Sequence, residues 1–162
     1  MSTIDADRAV APVPGDDPCG VSLTDDIRLM MLLQKAKGVP EAAMGDSVRP
    51  AEEPNWGEVR AEAMDLLVET KDLWACMLLI PAGLRLGGLD GLSEGLAALQ
   101  GMVESYWEGG LHPRPDEDGD PYERLAALAA LTVSIGSQGD DWRIAERIRE
   151  APLTDSRQIG RF

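Results

Sequence analysis

The sequence predicts an all-α fold of five or six helices, packed as antiparallel hairpins and joined by long proline- and glycine-rich loops. Apolar residues recur at spacings of three and four along much of the chain, whereas no stretch of strand length alternates apolar with polar residues. Clusters of proline and glycine separate the periodic segments. With 162 residues, 44% of them hydrophobic and 27% charged, the chain has the length and composition of one globular domain.

Residues 1–23 carry Pro12, Pro14, Gly15, Pro18 and Gly20, and are expected to form an extended N-terminal arm lying on a helical domain of residues 24–162. Thr24 and Asp25 offer N-caps for a first helix. Its run Ile27 to Leu33 is apolar almost throughout, which implies burial from several sides, and Lys35, Lys37 and Gly38 supply a cationic, glycine-ended C-terminus. Residues 39–54 read as a loop.

A second helix starts near Pro54 or Asn55, with Trp56, Val59, Ala63, Leu66 and Leu67 on its apolar face. Asp72 caps a third helix, which Pro81 should kink by removing a hydrogen bond and crowding the carbonyl of Met77. After Gly87 and Gly88 a fourth helix sets Leu89, Leu92, Leu96, Leu99, Val103 and Tyr106 on one stripe, making Leu96 and Leu99 expected core. Tyr122 to about Ser137 reads as a fifth helix, begun by Pro121 and capped by Asp118 or Asp120. A short last helix is capped by Asp140 or Asp141 and stops before Pro152.

The net charge of −14 repels phosphates and anionic membrane surfaces, so nucleic acid is not an expected partner. The apolar runs, such as Leu73 to Pro81, are shorter than the roughly 20 residues of a bilayer span, and the acidic N-terminus lacks the features of a signal peptide. A cytoplasmic protein without membrane insertion is expected. Cys19 and Cys76 fit no metal or redox spacing and suit a reducing compartment.

Two chemical readings compete. In one, His112 and the Asp116–Asp120 loop make a small acidic metal-binding or hydrolytic domain. Against it, a calcium loop counted from Asp116 has Pro121 where glycine and Ala127 where glutamate are required, and His112 has no second histidine to share a metal with. A Cys–His pair would need Cys19 or Cys76, neither with a cation beside it in an accessible site. No phosphate loop, dinucleotide fingerprint or nucleophile elbow is present. In the other reading the chain is an interaction module with no catalytic residues, no cofactor and no metal.

Several ordered motifs favour the second reading. Pro18-Cys19-Gly20 with Leu23 is followed by Gly45-Asp46, Pro50-Ala51-Glu52-Glu53-Pro54-Asn55-Trp56, Thr70-Lys71-Asp72-Leu73 and Leu84-Arg85-Leu86. Gly88-Leu89-Asp90-Gly91-Leu92, Tyr106-Trp107, His112-Pro113, Asp118-Gly119-Asp120 and Arg124 with Leu128 complete the order. Together they resemble the ImpA-type N-terminal domain of TssA proteins, across about residues 12–162. Trp74, where the family tends to carry arginine, and Pro81 depart from its pattern.

The resemblance implies a non-enzymatic role in type VI secretion. TssA-type proteins contribute to baseplate priming and to assembly of the sheath around its tube, so the implied partners are baseplate, sheath or tube proteins. It also implies one domain of a longer protein, with at most weak self-association. Gly45, Asp46, Pro50, Glu52 and Glu53 of the loop before the second helix, together with Trp74, are the expected partner-binding residues. The alternative for the loop is structural: its prolines stiffen a crossing between helices, and its glutamates support the following helix N-terminus.

Overall fold

The computed structural model describes residues 2–153 and the backbone of residues 155–156 and 160–161. The N-terminal segment is not simply extended. Asp5 accepts a hydrogen bond from the Arg8 amide and starts a short helix, α1 (Ala6–Val10). Ile4, Ala9, Cys19 and Leu23 are buried in the common core. The Glu94 carboxylate accepts from the amides of Thr3 and Ile4, both at 2.7 Å, and Tyr106 Oη donates to the Val10 carbonyl at 2.7 Å. The breakers read as marks of an arm instead shape a segment packed into the domain.

Helix α2 (Ile27–Lys35) is capped by Asp26, not by Thr24 or Asp25. Only Leu29 and Leu32 of its apolar run are buried; Ile27, Met30 and Met31 are more than half exposed. The expectation of burial from several sides fails because α2 packs through one face, against α3 and α4. In the loop that follows, β1 (Ala42–Met44) pairs antiparallel with β2 (Ser47–Arg49), and Val39 bridges Glu52. The chain is therefore mostly helical and not purely all-α.

Asn55 caps α3 (Trp56–Glu69), which buries Trp56, Val59, Ala63, Met64, Leu66 and Leu67. Asp72 caps α4 (Leu73–Met77) through the amides of Trp74 and Ala75. The helix breaks at Leu78, and Pro81 falls in the first turn of α5 (Leu79–Tyr106), where a missing N–H costs nothing. The sequence expectation of a proline-induced interruption is met as a break between two helices.

Gly88, at φ 61°, lies outside helical geometry and folds α5 into two limbs. These limbs touch through backbone: a Cβ on Gly91 would sit 2.1 Å from the Gly83 carbonyl oxygen, and one on Gly95 would sit 2.9 Å from Ile80 Cα. The buried stripe of the second limb is accordingly Gly91, Gly95, Ala98, Leu99, Met102 and Tyr106. Leu99 is core as expected, but Leu96 is 41% exposed. Close approach selects small residues for the contact line and moves part of the leucine stripe to its flank.

From Leu73 to Tyr106 the chain is long and apolar enough by length and composition to cross a bilayer, more so than its short apolar runs suggest. The apolar window is mostly buried within the domain, as a core helix would be, and the path breaks at Leu78 and bends at Gly88.

Helix α6 (Tyr122–Ala129) ends in a 3-10 turn over Ala130–Thr132, well before Ser137, with Leu125 and Ile135 exposed. Its N-cap is Pro121, with no side-chain cap from Asp118 or Asp120. Helix α7 (Ile144–Glu150) follows Arg143 in left-handed backbone, φ 48°, and is not capped by Asp140 or Asp141. Asp140 accepts instead from the Gly136 amide. Near the C-terminus β3 (Asp155–Ser156) pairs antiparallel with β4 (Gly160–Arg161).

Candidate functional site

Four of the sequence motifs meet inside the molecule. Thr70-Lys71-Asp72 runs between α3 and α4, and backbone partners from two other motifs lie against it. Gly20 bridges Thr70, the Lys71 amide donates to the Cys19 carbonyl at 2.7 Å, and the Leu73 amide donates to the His112 carbonyl at 2.8 Å. The His112 amide donates back to the Lys71 carbonyl at 2.9 Å. Lys71 is 1% exposed, and its ammonium donates to the carbonyls of Ala9, at 3.1 Å, and Leu67. Burial pushes its pKa down.

Arg124, 2% exposed, closes the same junction. Its guanidinium donates to the carbonyls of Trp107, Leu111 and Pro113 and stacks on the Trp107 ring, 4.9 Å from the centroid. Sequence reasoning noted Lys71 and Arg124 only as letters of a motif. Nothing in a charged residue's local pattern announces that it will be buried, because its carbonyl partners come from distant segments.

The residues of the hydrolytic and metal reading sit in structural contacts, His112 and Cys19 at the junction and the acidic loop outside it. His112 is 2% exposed, with Nε2 3.1 Å from the Gly20 carbonyl oxygen. Cys19 is fully buried and donates its S–H to the Gly109 carbonyl. Burial raises the pKa of both thiols, that of Cys76 to about 12, so neither is poised as a thiolate. In the acidic loop, Asp116 Oδ1 accepts from the amides of Asp118, at 3.0 Å, and Asp120, at 2.8 Å. Among the described residues no group of three or more His, Cys, Asp or Glu side chains is arranged to hold a metal ion.

The six expected partner-binding residues are exposed or partly exposed but do not form one patch. Gly45 and Asp46 make the tip of the β1–β2 hairpin, with Gly45 at φ 63°, and Pro50 and Glu52 follow β2 on the surface. Glu53 turns elsewhere. It pairs with Arg147 of α7 and lies 3.9 Å from Arg85 Nε, so it takes part in holding α7 to α5. It also lines a cleft of about 1000 Å³ bounded by the start of α3, the Gly88 bend and the end of α7.

Trp74, half-buried, lines a separate groove of about 570 Å³. This groove lies between α2, α6 with its 3-10 turn, and the segment leading into α7; Met30, Leu33, Leu131 and Ile144 make much of its wall. Lys37 and Asp141, paired at 3.2 Å, stand at its edge. Sequence reasoning singled out Trp74 but not the groove, whose other walls come from segments distant along the chain, Met30 to Lys37 and Ala126 to Ala145.

A family model described as ImpA, N-terminal, type VI secretion system matches residues 10–133. The chain belongs to the ImpA N-terminal family. The match takes in the motif junction from Cys19 to Arg124, so several of the family's ordered motifs in this chain are parts of one buried framework. The ImpA N-terminal domain is 36% identical over 159 residues to the type VI secretion system component TssA1 of Pseudomonas aeruginosa, covering 97% of this chain and 44% of that protein. It also resembles a solved N-terminal domain that includes the conserved ImpA_N region of TssA from Burkholderia cenocepacia, with a TM-score of 0.71 at 29% identity. That likeness covers 100% of this chain and 56% of the other. The chain thus spans about half the length of the relatives it matches.

Proposed function

We propose that this TssA-like domain is a non-enzymatic assembly module of a type VI secretion system, acting in the cytoplasm in baseplate priming and in assembly of the sheath around its tube. The observation that carries the reading is the open apolar groove with Trp74 in its wall. His112 and Cys19, which a hydrolytic site would use, are committed to the buried junction, whereas the groove leaves aromatic and aliphatic surface in contact with solvent beside exposed Met30 of α2. Aromatic and methionine side chains in a concave apolar surface are typical anchors for a protein partner.

The hairpin tip and its return, Gly45, Asp46, Pro50 and Glu52, form a second, polar contact surface in this proposal. Glu53 contributes to it indirectly, by fixing the end of that loop against α7. Purified baseplate, sheath and tube proteins are to be tested for association with the wild-type domain and with Trp74→Glu and Glu52→Lys. Glu52→Lys should melt as the wild type does, and Trp74→Glu should remain folded with a lowered midpoint, because the half-buried ring packs against the core. Trp74→Glu should lose association with at least one component, and Glu52→Lys should weaken it and change its salt dependence. Full retention of binding by Trp74→Glu to every component would overturn the groove's role.

A further inference from the structure

We propose that the cleft between the start of α3, the Gly88 bend of α5 and the end of α7 is a carboxylate-binding pocket, with the Trp56 indole N–H and the Arg85 guanidinium as its donors. Among the described residues, five buried side-chain polar atoms have no hydrogen-bond partner, and four of them belong to residues lining this one cleft: Trp56 Nε1, Arg85 Nε, Arg85 Nη1 and Arg147 Nε. All four are donors. Buried polar groups are ordinarily satisfied, so a concentration of orphan donors at a cleft calls for an acceptor. Trp56 is 5% exposed and the Arg85 side chain 9%, so bulk water has little access to either.

Charge narrows the acceptor to an anion. The Arg85 guanidinium stacks on the Trp56 ring, 4.9 Å from the centroid, and donates Nη2 to the Trp142 carbonyl at 2.9 Å. Its nearest carboxylate, Glu53, stands 3.9 Å away and is already paired with Arg147. Burial, with the nearby positive charge of Arg143, works against the protonated state of Arg85, while Glu146, Glu150 and Asp140 support it from a distance. A buried cation with orphan donors and no carboxylate within hydrogen-bond reach favours an incoming negative group.

Shape and the surrounding charges narrow it further. A guanidinium edge offers two parallel donors that match the two oxygens of a carboxylate. Glu53, Asp90 and Glu150 also line the cleft, and they would repel a phosphate dianion more strongly than a singly charged carboxylate. A volume of about 1000 Å³, partly walled by Leu84 and Leu89, has room for a short peptide bearing that carboxylate. The carboxylate can come from an acidic side chain or from a chain terminus.

The test is a titration of the ¹⁵N-labelled chain, following the Trp56 indole resonance, which is assigned by its absence in Trp56→Phe. Four probes are compared: an N-acetylated tripeptide with a free C-terminus, the same peptide amidated, an amidated peptide with a central glutamate, and inorganic phosphate. A saturable downfield shift with one or both carboxylate peptides, and none with the neutral one, is expected; which of the two binds more tightly identifies the source. Arg85→Gln should weaken binding about tenfold or more. Should Arg85→Gln fail to fold, Trp56→Phe keeps an aromatic ring beneath Arg85 while removing the indole N–H, and should weaken binding measured by calorimetry. The proposal is overturned if no carboxylate probe gives a saturable shift, if phosphate binds as well as the carboxylates, or if the folded variants bind undiminished.

Discussion

Asp72 combines a structural duty with a titration. Its Oδ1 accepts from the amides of Trp74, at 2.8 Å, and Ala75, at 3.2 Å, while the residue is 2% exposed. Burial raises its pKa above the ordinary 3.8 despite the two amides, which pull it down. Between 3.8 and the raised value the native state holds more protons than the unfolded chain, so Asp72 removes stability as pH rises through that window. Asparagine keeps the accepting oxygen and does not titrate. Asp72→Asn should therefore gain stability relative to wild type as pH increases from about 4 towards 7, as measured by urea unfolding at fixed pH values. A difference that does not change with pH would refute the assignment. Arg124 presents a different case, because three carbonyls depend on one planar fork. A lysine cannot serve all three, so Arg124→Lys should destabilise by at least about 2 kcal/mol and Arg124→Ala by more. Melting curves close to wild type for Arg124→Lys would show that the fork is dispensable.

At the scale of elements, the starts of α3 and α4 were legible, whereas the caps of α2, α6 and α7 and the contacts between elements were not. Asn55 and Asp72 were readable because a cap bonds to amides two or three residues along. Arg143, at a positive φ, was not, because its backbone conformation is imposed by how α7 docks. The β1–β2 hairpin escaped notice since strands of three residues show no alternation. The leucine stripe of α5 led to Leu96 as core because large apolar residues were counted, whereas the contact line runs through Gly91 and Gly95. This difference is measurable. Gly91→Ala pushes a methyl group against the Gly83 backbone, which cannot swing aside, and should cost several kcal/mol or prevent folding. Leu99→Ala should cost about 2–5 kcal/mol, and Leu96→Ala, 41% exposed, about 1 kcal/mol or less. Equal losses for Leu96→Ala and Leu99→Ala in denaturant unfolding would put the limb's face back where the leucines place it.

For the whole molecule, the candidate site was the least legible part of the sequence. Glu53 and Trp74 were singled out one by one, but the clefts they line are assembled from α2, α3, α5, α6 and α7, which no local pattern relates. Charge, by contrast, is read directly: 29 acidic residues face 15 basic ones. Two electrostatic effects of opposite sign act on the fold. Ion pairs such as Arg28–Glu69 and Arg114–Asp17 stabilise it and weaken as salt rises, but their side chains are about half exposed, and pairs of that kind contribute only about 0–1 kcal/mol each. The excess of negative charge opposes the compact state and is also screened, over distances that shrink from about 30 Å at 0.01 M salt to about 8 Å at 0.15 M. With a net charge of −14 and few basic residues to form pairs, the repulsion should win. The midpoint of thermal unfolding should rise by a few degrees as sodium chloride goes from 0.01 to about 0.15 M, with chloride and acetate salts giving the same result. A falling midpoint would mean that the ion pairs, including those tying Glu53 and Arg147 across the cleft, contribute more to the fold than their exposure implies.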